Sequence, residues 1–204
     1  MPNKASPTRR FRPYFDRPID TRDTSERFLI VCEGEKTEPN YFWSFPVPKK
    51  VIDVQGFGFN TTALVERALE LKNQEHYDQV WCVFDRDDFP VENFNRAIAL
   101  AKQHGICVAY SNQAFELWYL LHFHYYNTGI NRDAYKAKLS NLLGHEYRKN
   151  SETIYEEIMP LQKAALRNAA KLLEQYSPPK PADDDPSTTV HLLVEQLNRF
   201  VRWR

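Results

Sequence analysis

Four short apolar runs, at residues 28–32, 51–54, 80–84 and 106–110, are separated by stretches with helical periodicity. Strand alternating with helix means a mainly parallel sheet with helices as crossovers, so the expected fold class is α/β. Between the second and third runs, Leu64, Ala68 and Leu71 recur at i, i+4 and i+7, with Asn60, Thr61 or Thr62 as the cap. Between the third and fourth, Phe94, Ala97, Ile98 and Ala101 form a second apolar face that ends at Gly105. After residue 113 the strand signal stops. Helical patterns then cover 114–125, 132–143, 151–176 (broken near Pro160) and 188–202, with "SPPKPADDDP" at 177–186 as a loop. Val190, Leu193, Val194, Leu197 and Val201 make an apolar stripe, so the last helix docks on something. The expected organisation is a basic arm over 1–26, an α/β core over 27–125, and a helical region over 126–204 packed on that core.

A chain of 204 residues that is 42% hydrophobic holds enough apolar material for one substantial core. Lys+Arg and Asp+Glu number 27 each, so no global basic excess advertises nucleic acid, and such a partner must be argued from local patches. Cys32, Cys82 and Cys107 are far apart, sit in apolar stretches and form no CxxC pair, which reads as buried reduced thiols in a cytoplasmic protein. The N-terminus has no signal-like apolar segment, and no stretch approaches the ~20 apolar residues of a membrane span. No membrane partner is therefore expected.

In an open parallel sheet, ligands bind beyond the carboxyl ends of the strands. "FLIVCEGEKTE" delivers Glu33, Glu35 and Glu38 at the first such end; "VWCVFDRDD" delivers Asp85, Asp87 and Asp88 at the third; Glu116 follows the fourth. Three strands thus release acids at one edge. Each has a plainer explanation: Asp88 as a helix cap, Glu116 as a dipole partner, Glu35 and Glu38 as a solvated face. Asp85 and Asp87, at i and i+2, point to one side of the strand end, which suits a hard cation bound through oxygen. A metal site and a solvated acidic rim are equally compatible with the spacing. His122 lies about 120° round the helix from Glu116, so it reads as a packed histidine. "GFGFNT" reads as a turn, Trp118 and Tyr119 as packing residues, and Asp183 to Asp185 as favouring the last helix's N-terminus. The basic arm and the Lys163, Arg167, Lys171 stripe are the segments able to track a phosphate backbone, and Lys36 lies beside the acids.

"VCEGEKTEPNYF" and "VFDRDD" look like the Glu-Gly and Asp-x-Asp motifs of the Toprim fold. With "SNQAFELWYLLHF" and "DDPSTTVHLLV" the chain resembles the RloB-like family of bacterial proteins, found near restriction-modification and phage-defence genes. The resemblance implies a Toprim-like core that binds Mg²⁺, or Mn²⁺, and acts on the phosphodiesters of RNA or DNA. It implies Glu33 as general acid/base or metal-assisting residue and Asp85 and Asp87 as metal ligands, with Glu116 as an additional catalytic candidate. Gln113 stands where the motif would have Pro, and Thr37 and Glu38 lie one residue further from the Glu-Gly than in many nuclease motifs. A defence-system ATPase is a possible partner. The alternatives are a non-catalytic binding subunit or a small-phosphate phosphohydrolase.

Overall fold

The computed structural model describes residues 26–58, 60–87 and 90–201. The expected strands are present: β1 (Phe28–Cys32), β2 (Ile52–Gly56), β3 (Gln79–Arg86) and β4 (Cys107–Asn112) form one parallel sheet in the order β2-β1-β3-β4. Between them run α1 (Thr37–Trp43), α2 (Thr61–Gln74) and α3 (Val91–Gln103); α4 (Glu116–Phe123) follows β4. The Asn60 side chain caps α2 by accepting from the Ala63 N–H at 3.1 Å. Pro90 precedes α3, and the expectation that Asp88 caps that helix lies outside the described residues. The C-terminal part contains α5 (Arg132–Leu143), α6 (Ile154–Ile158), a 3-10 turn (Met159–Leu161), α7 (Gln162–Leu173) and α8 (Val190–Asn198), so the break at Pro160 falls where proline requires it.

The central strands are buried on both faces, and their two-residue period divides the core. Phe28, Ile30 and Cys32 face α1 and the C-terminal helices; Leu29 and Val31 face α2 and α3. A fully buried side chain of this kind contributes about 1.5–3 kcal/mol. The stripe on α8 docks as expected, with Val190, Leu193, Val194 and Leu197 buried. The segment before it has a role that periodicity does not reveal. Ser187 to Thr189 lie antiparallel along the outer edge of β4: Asn112 donates to the Ser187 carbonyl and Thr189 to that of Tyr110, both at 2.9 Å. That edge is thereby covered.

One cysteine departs from expectation. Cys32 and Cys82 are buried, but Cys107 is exposed, because it opens an edge strand whose inward packing at that end is supplied by Ile106. Among the described residues all three thiols are free, and no helix is long and apolar enough to cross a membrane.

Candidate active site

The first acidic residue is placed by the sheet itself. Glu33 continues the β1 ladder for one more residue, donating to the Val83 carbonyl at 2.8 Å, while the Gly58 N–H donates to the Glu33 carbonyl at 2.8 Å. Its carboxylate turns towards β3, accepting from the Asp85 backbone N–H at 3.1 Å and from the Thr61 hydroxyl at 3.5 Å. Glu33 and Asp85 therefore share one end of the sheet.

Gly34 then gives the Glu38 carboxyl its room. A Cβ there would lie 2.2 Å from Glu38 Oε2, and one on Gly56 would lie 2.5 Å from the Gly34 carbonyl oxygen. Two glycines let the strand ends approach and let the Glu38 carboxyl pack against backbone. Glu38 sits in the first turn of α1 and is only 5% exposed. The reading of Glu38 as a solvated face is thus corrected: the short helix α1 turns it inward.

Glu116 enters from the opposite side. Between β4 and α4 the chain turns through Gln113, whose φ of 61° no proline could adopt, so the departure from the motif's Pro has a backbone consequence. Glu116 begins α4, is 2% exposed, and accepts a hydrogen bond from the Tyr147 hydroxyl at 3.1 Å. The loop carrying Tyr147 is tied to the acidic segment, because the Thr37 hydroxyl donates to the Lys149 carbonyl at 2.9 Å.

Glu33, Glu38, Asp85, Asp87, Glu116 and Lys149 line a single cavity of about 350 Å³. Lys149 is the one cation among its described lining residues. Burial pushes the Glu33 carboxyl up to about 7, helped by the charges of Asp87 and Glu38 and opposed by the Asp85 N–H and the Thr61 hydroxyl. Burial also raises Glu38, with Glu116 adding and Lys149 opposing. Asp85 is held well above the usual carboxylate range by burial and then by Glu38, Glu116 and Glu33. These carboxyls are short of counter-charge. Among the described residues no three His, Cys, Asp or Glu side chains are already gathered as ligands of one ion.

The family model described as RloB-like protein matches residues 28–197, a span that takes in all four strands and every residue lining the cavity. The chain belongs to the RloB-like family. No curated protein and no solved structure matches it.

In this RloB-like chain the four acids named from sequence, Glu33, Asp85, Asp87 and Glu116, come together. Asp87 also lies 3.9 Å from Arg132. The four expected phosphate-binding cations do not line the cavity: Lys36 is exposed at the start of α1, and Lys163, Arg167 and Lys171 are exposed on α7, the last over the Tyr125 ring at 4.4 Å. The basic arm lies outside the described residues over 1–25. His122 is a packed residue, 1% exposed, with Nδ1 at 2.9 Å from the Trp118 carbonyl and its pKa lowered by burial to about 4. Asp184 serves its own loop rather than the last helix, accepting from the Lys180 N–H at 2.6 Å. Sequence reasoning missed Lys149 and Tyr147. Both sit in an irregular segment with no periodicity, and only their positive and hydrogen-bonding chemistry could have drawn notice.

Proposed function

We propose that this RloB-like protein is a Mg²⁺-dependent nuclease, Mn²⁺ being an alternative ion, that cleaves phosphodiesters of RNA or DNA in bacterial phage defence. The observation that carries this reading is the convergence, among the described residues, of five carboxylates from the ends of β1 and β3 and from α1 and α4 on one cavity with a single lysine. The donor set fits a hard cation, since it is all oxygen and its charges repel one another. Mg²⁺ commonly takes only one or two carboxylates, completing its shell with water and substrate phosphate, so a three-ligand cage is not required. Asp85 and Asp87 would hold the ion, with Glu116 and Glu38 facing them. When bound, the ion supplies neutralisation of phosphate charge and a lower pKa for water.

The chain's own residues supply the rest. Glu33, whose carboxylate is held at the cavity wall by the Asp85 N–H and the Thr61 hydroxyl, is placed to accept a proton from a water attacking phosphorus. The Lys149 ammonium can neutralise a non-bridging phosphate oxygen. Tyr147 holds Glu116 in orientation, and Gly34 gives Glu38 its place. The defence setting, and an ATPase as partner, rest on the family resemblance. A Toprim-like assignment of the core rests on the same two acidic motifs.

The test is incubation of purified protein with labelled tRNA, single-stranded RNA and plasmid DNA in Mg²⁺, Mn²⁺ or EDTA. Cleavage of at least one polymer in metal and none in EDTA is expected. Cleavage that persists in EDTA, or that is absent from all three polymers, would contradict the proposal.

A further inference from the structure

Two more cavities adjoin the acidic one, and each shares a wall with it. On one side, about 290 Å³ is enclosed by Asn60, Thr61 and Thr62 at the start of α2 and by Asn93 and Arg96 of α3, with Asn60 belonging to both cavities. On the other, about 370 Å³ is enclosed by the 143–154 segment, including His145, Arg148, Asn150 and Ser151, with Lys149 belonging to both. Asn60 comes from the β2–α2 connection beside Glu33, whereas Lys149 belongs to the loop tied to Thr37 beside Glu38. Each flanking space thus meets the acidic cavity at one shared residue, Asn60 or Lys149.

The chemistry changes from one space to the next. The middle cavity is acidic; the first flanking one is polar and carries the exposed Arg96, and the second sets the exposed Arg148 beside Glu146 over a floor that includes Leu143 and Ile154. The Asn60 side chain accepts from the Ala63 N–H and its carbonyl from the Leu64 N–H, and Thr61 and Thr62 of the first turn of α2 line the first flanking cavity, so the positive end of that helix lies at its wall. Arg148 makes a surface pair with Glu146 at 3.1 Å, both side chains more than 70% exposed, and an exposed pair of that kind is readily exchanged for a phosphate. Each volume is at the small end of the range that holds one small ligand. A mononucleotide is too small to span all three volumes. A strand is gripped from both sides.

We propose that the three cavities form one track for a polynucleotide strand, with the scissile phosphate over the acidic cavity and the neighbouring phosphates at Arg96 with the α2 N-terminus and at Arg148 with its loop. The track makes the protein an internal cutter that needs nucleotides on both sides of the cleaved bond. This rests on the phosphodiester reading above.

The test measures binding of a labelled single-stranded oligonucleotide by the full chain across a salt series, in EDTA and again in Ca²⁺, for wild type, Arg96→Gln, Arg148→Gln and the double variant. Each single substitution is expected to flatten the slope of log K against log salt by about 0.7 for one lost phosphate contact, and the double by about twice that. Competition by a nucleoside monophosphate is expected to be alike in all four proteins. Unchanged slopes in either single variant would overturn the two-sided track, while metal-dependent cutting by wild type would leave the nuclease reading intact. If wild type neither binds nor cuts any oligonucleotide, both fall together.

Discussion

At the scale of single residues, the site is built from groups that folding alone would not choose. A carboxyl whose pKa rises to about 7 in the folded chain, as at Glu33, binds its proton more tightly folded than unfolded. Between its ordinary value near 4.5 and about 7 the folded state holds more protons, so stability falls as pH rises through that window and levels off above it. Glu33→Gln should remove that part of the pH dependence and raise the metal-free melting temperature at pH 8, while abolishing cleavage. A variant that melted at or below the wild-type temperature at pH 8 would show that Glu33 is not under charge strain. Gly34→Ala probes position instead of charge. Its Cβ would lie 2.2 Å from Glu38 Oε2, and displacing that carboxyl by the order of 1 Å should cut the cleavage rate by about 10²-fold. Normal turnover by a folded Gly34→Ala protein would remove Glu38 from the machinery.

At the scale of elements, the acidic edge was legible because parallel strands must deliver their C-termini to the same side: Glu33 and Asp85 immediately follow apolar runs, and Glu116 opens the helix after the fourth strand. Helix α1 was not legible. At seven residues, in "TEPNYFW", it is too short to show a period, and Glu38 in "EGEKTE" has the composition of a solvated turn. Tyr147 and Lys149 were hidden for a related reason: the 144–153 loop is placed by contacts to α4 and to Thr37, not by any pattern of its own. The Ser187 to Thr189 segment likewise reads as a loop because its partners are on β4, almost 80 residues earlier. Its weight can be measured at Thr188, whose fully buried hydroxyl donates to the Tyr110 carbonyl at 2.8 Å, accepts from the Val190 N–H at 3.2 Å and lies 2.9 Å from the Ser111 hydroxyl. Thr188→Val keeps the shape and deprives the Val190 N–H and the buried Ser111 hydroxyl of this partner, while the Tyr110 carbonyl keeps the Thr189 N–H, at a cost of about 1–3 kcal/mol. The urea midpoint should fall with the m-value unchanged. An unaltered midpoint would mean that the edge cover contributes nothing to stability.

At the scale of the whole molecule, a neutral chain gathers five of its 27 acids in one cavity, with Lys149 as the one cation among the described lining residues. The α/β part supplies four of the five carboxylates up to Asp87 plus Glu116 at the head of α4, and the helical part supplies Lys149 and Tyr147, so the cavity is complete only when both are folded together. The C-terminal helices cover one face of the sheet and α2 and α3 the other, which leaves the C-terminal strand ends open for the acidic cavity. Such crowding is unfavourable without a counter-ion, and a bound divalent cation relieves it. The central assertion is therefore that the acidic cavity binds a divalent metal. Calorimetric titration of Mn²⁺ into the metal-free protein and into Asp85→Asn measures this directly, without any substrate. The account predicts saturable binding by wild type and an affinity reduced at least about tenfold in the variant, equivalent to the 1.4 kcal/mol that one lost ligand readily exceeds. No saturable binding by wild type, or equal binding by both proteins, would contradict it.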